Sequence, residues 1–258
     1  MSTRLSELTM AALKPAAGFI ALIVAWQYGA APAGIPQYVL PLPSSIAARF
    51  AETFSVQLNG LMMTAFTTLV GLALALVIGI LLALLVVYMP ALRSVIMPLL
   101  AAFNGIPKIA IAPLFVIWFG LGYQSKILLA FLLALFPVFV NSLTGLGEIE
   151  TDLIDLSTLA GGTPWRIFLK VRLMNAVPYI TDALKVAFPL ALVGSIVGEF
   201  IGGNDGIGHL ILLGQFDLDT PLVFAALLSI TAFTMVGIGS IVLFERSVLT
   251  WRPSQRKR

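Results

Sequence analysis

The chain has no cysteine and a single histidine, His209, among its 258 residues. Disulfides, thiolate metal sites and cysteine nucleophiles are thereby excluded, and one imidazole cannot assemble a metal cluster. Charge is scarce as well. Asp, Glu, Lys and Arg make up 10% of the residues, against roughly 25% in a soluble domain. Neither Gly-x-x-x-x-Gly-Lys-Ser/Thr, Gly-x-Ser-x-Gly nor His-Glu-x-x-His occurs. The chain therefore lacks the phosphate loop of a nucleotide hydrolase and the nucleophile or zinc motif of an intramembrane hydrolase. The expectation is a protein that is not an enzyme and holds no cofactor or metal of its own.

What is present is sequence soluble in hydrocarbon: 59% of the residues are hydrophobic and the mean hydropathy is +1.03. Spanning a bilayer core of roughly 30 Å takes about 20 helical residues, so this length supports one polytopic bundle and no separate soluble domain. Residues 1–258 are accordingly read as a single transmembrane domain. About six apolar segments can be laid out, at 15–30, 61–87, 95–119, 127–146, 178–201 and 222–244. They must be helices, because backbone amides facing lipid find no water and the alternating pattern of a closed barrel is missing. The fold class is therefore all-α. The first segment is followed by Pro32, Pro36, Pro41 and Pro43 instead of a small-residue cleavage site, which predicts an uncleaved first helix.

A net charge of +3 does not point to nucleic acid, since the basic residues sit at the ends of apolar spans. With the N-terminus inside, Arg4, Lys14, Arg93, Arg166, Lys170, Arg172, Arg246, Arg252, Arg256, Lys257 and Arg258 fall on the inner face, and only Arg49 and Lys126 fall outside. That asymmetry predicts both termini in the cytoplasm. The segment after the fifth span carries Asp205, Asp217 and Asp219 without Lys or Arg, as an external segment tolerates. The first external stretch reads as extended, proline-rich chain leading into a short interfacial helix capped by Ser44 or Ser45.

On the inner face, residues 148–177 form an unusually long polar loop. Gly161 and Gly162 can stop a helix, while Thr163 and Pro164 supply an N-cap and a first-turn proline for the next. Two helices should meet there at a fixed corner. On the second, Arg166 and Lys170 share a stripe, Trp165, Ile167, Phe168 and Val171 populate the broader apolar side, and Arg172 intrudes on it. The residues alone leave two readings open: a helix floating among headgroups with Trp165 as a belt residue, or a docking surface for a partner.

Four ionisable residues lie within or close to the spans, where a charge costs about 2.5–3.5 kcal/mol at the centre. Asp182 and Lys185 are three apart, which suits a local helix pair or snorkelling. Lys108 is flanked by Pro107 and Pro113 and preceded by Asn104 and Gly105, which predicts a kinked or broken helix lining a cavity. Lys108 and Asn104 are therefore candidates for a translocation pathway. Glu199, near the outer end of the fifth span, is a third candidate; it can pair with Lys108, gate the external mouth, or be an interfacial carboxylate. Residues 202–209 read as a glycine-rich external turn, with a re-entrant dip as an open alternative, because the strand and repeated acidic ligands of a phosphate or calcium loop are missing.

The order Asp155, Gly161, Trp165, Phe168, Val171, Leu173, Pro178 resembles the EAA loop of the integral membrane subunits of bacterial binding-protein-dependent ABC importers. The run from Ile106 to Gly120, Ile-Pro-Lys-Ile-Ala-Ile-Ala-Pro-Leu-Phe-Val-Ile-Trp-Phe-Gly, and Val197-Gly198-Glu199-Phe200-Ile201-Gly202 resemble the nitrate, sulfonate and taurine branch. About residues 40–250 are covered. The family's Glu-Ala-Ala is Asp155-Leu156-Ser157 here, and its Leu-Pro is Leu173-Met174, with Pro178 retained. The resemblance implies a type I importer permease in the bacterial inner membrane, with Asp155, Gly161, Thr163, Trp165 and Phe168 as the surface coupled to an ATPase. It further implies a second copy of the permease, two cytoplasmic ATPase subunits that bind the ATP, an external binding protein, and alternating access as the mechanism. The branch carries nitrate, sulfonates, taurine and vitamin-like heterocycles, and the residues do not choose among them. The competing reading is an ion-coupled carrier or channel powered through Lys108, Asp182, Lys185 and Glu199.

Overall fold

The computed structural model describes residues 17–29, 32 and 34–249. Its regular elements are all helical. They are α1 (Ala17–Gly29), α2 (Pro43–Glu52), α3 (Phe54–Tyr88), α4 (Pro90–Gly105), α5 (Lys108–Phe119), α6 (Tyr123–Gly147) and α7 (Thr151–Leu159). They continue with α8 (Pro164–Gly202), α9 (Ile207–Phe216) and α10 (Thr220–Val248). Among the described residues, α3, α6, α8 and α10 are each long and apolar enough to cross a bilayer, and α4 with α5 makes a fifth candidate span bent by 95°. Helix is what an apolar chain must adopt when its own amides are the only partners available.

The segment at 95–119 is broken, as its prolines predict: Ile106, preceding Pro107, takes an extended conformation (ψ 131°), as proline favours for the residue before it. The two halves are about 24 and 18 Å long at ~1.5 Å per residue, so neither crosses a core of roughly 30 Å alone. The described part of the segment at 15–30 is α1, about 20 Å long; both of its predicted ends lie outside the described residues, as do Arg4, Lys14 and the basic residues from Arg252 onward.

The chain divides into two compact units, one of residues up to Leu58 with Leu210–Ser229, the other of Asn59–His209 with the residues from Ile230 onward. In the first, the Arg49 side chain joins α2 to Asp219 at 2.7 Å and to Glu52 at 3.0 Å. The Glu52 and Asp219 carboxylates hold the guanidinium's pKa above its ordinary value. Ser229 donates to buried Gln57 at 2.6 Å. Ser45 donates to the Leu42 carbonyl at 2.8 Å, so the cap predicted at Ser44 or Ser45 is not formed; Pro43 opens α2 instead.

In the second unit, α6 and α8 pack along each other, and small residues let the backbones approach. A Cβ on Gly194 would stand 2.6 Å from the Leu129 carbonyl oxygen and 2.8 Å from the Ala130 Cα. Lipid supplies no hydrophobic drive between helices, so such close van der Waals contact takes its place. Around it, Leu72 and Ala75 of α3, Ala130 and Ala134 of α6 and Ala187 and Ala191 of α8 form one buried cluster.

Candidate functional site

The polar loop folds into the corner that its glycines and proline predict. Helix α7 ends at Leu159; Gly161 then takes φ +79°, a left-handed conformation that disfavours any side chain except, in part, Asn. The Gly162 N–H donates to the Ser157 carbonyl at 2.9 Å and the Gly161 N–H to Thr158 at 3.0 Å. This pair of bonds is a Schellman stop, which satisfies carbonyls the helix end would otherwise leave orphaned. Thr163 caps the next helix by accepting from the Arg166 N–H at 3.4 Å, with Pro164 at its first position.

The second helix of the corner is not a separate element. It passes through a π-helical turn at Phe168–Arg172 and continues as α8 to Gly202, 39 residues in all. The expected boundary at Pro178 is absent. Trp165 stacks on Phe168 with ring centroids 5.5 Å apart, Phe168 meets Tyr88 of α3, and Arg172 donates to the Leu146 carbonyl of α6 at 2.9 Å while covering the Tyr88 ring. The root of the corner is therefore seated on the bundle. Its tip is bare: Asp155 is exposed, and Leu156, Leu159 and Trp165 are 64%, 85% and 66% exposed. Large apolar side chains presented outward beside Arg166 and Lys170 suit a protein partner.

The elbow between α4 and α5 holds Lys108 and Asn104 together. Lys108 Nζ donates to Asn104 Oδ1 at 2.6 Å, an i,i+4 bond across the break. Leu99, Phe103, Leu132, Leu135 and Phe136 wall a cavity of about 230 Å³ against this pair.

Glu199 does not join them. Its carboxylate is fully buried, accepting from Thr64 Oγ1 at 2.7 Å and from the Gly208 N–H at 2.8 Å. Thr64 in turn accepts from the Ile207 N–H at 3.0 Å, so residues of α3 and α8 jointly cap the start of α9 from outside it. Gly206 (φ +106°) lies against the same carboxyl group, leaving no room for a Cβ. Next to this knot Lys126, 1% exposed, pairs with Asp205, and Thr67 and Ser195 share a 2.6 Å hydrogen bond. Sequence reasoning placed Lys126 only as an external charge and missed Thr64, Thr67 and Ser195. The available signal was polar residues one turn apart on an apolar helix. The segment 202–209 is thus a tight turn into a short helix, tied down by a buried carboxylate.

The predicted Asp182–Lys185 pair forms at 2.9 Å, and Lys185 also reaches Glu245 of α10 at 2.6 Å. Glu245, near the end of the sequence's last apolar run, was not anticipated as a partner.

Comparison with known proteins agrees with this architecture. Residues 75–250 match the family model described as binding-protein-dependent transport system inner membrane component. The riboflavin transport system permease protein RibX of Chloroflexus aurantiacus is 34% identical over 90% of this chain and 88% of its own length. The formylaminopyrimidine transport permease protein ThiX of Halalkalibacterium halodurans is 35% identical over 95% and 98%. In fold, the chain is similar to an inward-facing structure of the MetNI methionine ABC transporter, with a TM-score of 0.66, 21% identity, and 76% of this chain and 98% of that one covered. A multi-pass helical bundle, a loop with the expected cap and stop, and relatives matched over nearly their whole length place the chain in one group: it belongs to the family of inner-membrane permease components of binding-protein-dependent ABC importers.

Proposed function

We propose that the chain forms the translocation pathway of an ATP-driven importer, as one of two copies, and takes its energy from two ATPase subunits docked on the corner at Gly161. The observation that carries this reading is the rigid, outward-facing tip of α7 and α8, continuous with a transmembrane helix. Asp155, Gly161, Thr163, Trp165 and Phe168 compose the coupling surface. A push on that surface is delivered along α8 without an intervening hinge loop, so closure of the ATPases on ATP moves the helix that also carries Lys185 and Glu199. ATP binds the partner and not this chain. An external binding protein delivers the solute, and both termini face the cytoplasm.

Lys108 and Asn104 line the pathway in this reading, while Glu199 shapes the turn beside it from within the protein. The substrate is a small solute, and a nitrogen heterocycle fits better than a small anion. The elbow walls are aliphatic and aromatic, and the relatives named for riboflavin and formylaminopyrimidine transport are 34% and 35% identical to this chain, against 28% for those named for aliphatic sulfonate transport. The test is reconstitution: proteoliposomes holding the permease with its ATPase and binding protein should accumulate solute only with ATP. Uptake by the permease alone, driven by an ion gradient, would favour the carrier reading instead.

A further inference from the structure

Helix α9 ends at Phe216, and the chain turns through Asp217 and Leu218 before α10 begins at Thr220. Leu218 takes φ +55°, the one positive φ outside glycine among the described residues. A left-handed residue just past a helix end is usually glycine, because a Cβ is disfavoured there. Such strain persists where the surroundings over-determine it, and it clusters at working surfaces. Here the surroundings are firmly tied. The Asp217 N–H donates to the Leu213 carbonyl at 2.9 Å and the Leu218 N–H to that of Gln215 at 3.3 Å. Asp219 accepts from the Arg49 guanidinium of α2 at 2.8 Å and from the Leu222 N–H at 3.1 Å, and Thr220 donates to the Tyr38 carbonyl at 2.7 Å. Gly214 lets the turn fold back closely, since a Cβ on it would stand 2.9 Å from the Val223 side chain.

What this rigid turn presents is apolar. Gln215, Phe216, Asp217 and Leu218 are exposed in succession, Phe216 to 82% and Leu218 to 73%. The strained leucine is therefore not held there by its own packing. Hydrocarbon does not account for it either, because the exposed Asp217 carboxylate lies between the two side chains and a charge is expensive in lipid. A bilayer surface fits no better. Helices that lie on membranes turn Lys and Arg toward the headgroups, whereas the compact unit holding this turn has, among its described residues, the single cation Arg49 against Glu52, Asp217 and Asp219. Arg49 is already paired with Glu52 and Asp219, so the rim of the patch is acidic. An apolar patch with a polar rim marks a protein contact, and electrostatic complementarity requires the partner to be basic around it.

We infer that the turn from Phe216 to Asp219 is a landing site for the external binding protein, which meets it with an apolar recess ringed by lysine or arginine. Phe216 and Leu218 are the anchors, Asp217 supplies the charge that steers the approach, and the Arg49–Asp219 pair holds the turn in place. The inference rests on the permease reading and its orientation, in which this turn faces outward; it adds which surface the binding protein touches and with what chemistry.

The experiment uses the permease assembled with its ATPase in phosphatidylcholine nanodiscs, and the binding protein that supports ATP-dependent uptake by the reconstituted wild type. Leu218→Gly removes an anchor and relieves the backbone, so the unfolding midpoint should stay level or rise while affinity for the binding protein falls about tenfold or more, as for a central apolar contact. Phe216→Ser should lose as much. Asp217→Asn should lose less and flatten the dependence of affinity on salt. Because the chain has no cysteine of its own, Gln215→Cys carries a single nitroxide label beside the anchors. That label should be relaxed by a water-soluble nickel chelate more than by oxygen, and should lose mobility when the binding protein is added. Wild-type affinity in both Leu218→Gly and Phe216→Ser overturns the inference, as does a label that oxygen reaches and nickel does not, or one that saturating binding protein leaves unchanged. If no binding protein supports uptake by wild type, the permease reading itself fails and this inference with it; uptake that persists with unaltered binding by the variants rejects the landing site alone.

Discussion

Thr64 of α3 donates to the carboxylate of Glu199 of α8 at 2.7 Å, in a position where both residues are fully buried. The same hydroxyl accepts from the Ile207 amide and the same carboxylate from Gly208, so two helices hold the start of a third. A carboxylate that accepts only is well suited to a site offering only donors.

Replacing Glu199 by Ala should therefore destabilise the protein by about 1–3 kcal/mol, because the Gly208 amide loses its acceptor in a buried site. Glu199→Gln should fall in between, since one of its two polar atoms is a donor facing donors. Hydrogen exchange at Ile207 and Gly208 measures this directly: faster exchange in Ala than in Gln, and in Gln than in wild type, is the expected order.

At the corner, the φ of +79° at Gly161 separates backbone strain from contact. Gly161→Ala should cost about 1 kcal/mol of local stability, and Gly161→Asn clearly less. No atom lies within 4 Å of a Cβ built there, so Gly161→Arg adds bulk that projects away from the chain. Membrane insertion should persist with Gly161→Arg while co-purification with the ATPase is lost. An arginine variant that still brings the ATPase down at wild-type yield would remove Gly161 from the coupling surface.

Lys185 bridges Asp182 and Glu245 across α8 and α10. Removing the lysine with Lys185→Met leaves two carboxylates facing each other and should cost more than removing Glu245 with Glu245→Gln. Both partners keep some exposure, so the single-variant loss should be about 1–3 kcal/mol, below that of a fully buried pair. A double-mutant cycle read by thermal unfolding should return a coupling of at least about 0.5 kcal/mol; additive losses would mean that the pair contributes little.

Gly194→Val places a branched side chain where a Cβ already stands 2.6 Å from the Leu129 carbonyl. Overpacking of this kind should cost about 1–3 kcal/mol, seen as a lower unfolding midpoint and reduced membrane yield. Gly239→Val, at a glycine with no atom within 4 Å of its Cβ, is the matched control and should be near neutral.

Much of the architecture is legible in residue order, because the physics behind it is local. Bilayer thickness sets helix length, so the apolar runs predict α3, α6, α8 and α10. Pro107 next to Ile106 predicts a break, and the Gly161-Gly162-Thr163-Pro164 run predicts both the stop and the restart of helix at the corner. Asp182 and Lys185 are close in sequence, and their pair needs nothing but one helical turn. Less legible was the continuity of α8, because Leu173-Met174 and Pro178 suggest a boundary, yet a π-helical turn carries the backbone through.

What order alone determined, then, is that the chain lives in lipid as helices and carries a capped corner on a polar loop. Which of those polar residues meet was decided only by folding. Glu199 finds Thr64, 135 positions away, instead of Lys108; Lys126 turns inward to Asp205; Lys185 gains Glu245. Such choices depend on which faces of distant helices are pressed together, and spacing along one helix carries no record of its neighbours. The packing brought Asp205 to Lys126 and Glu245 to Lys185, and it left Lys108 with a neutral partner at the elbow.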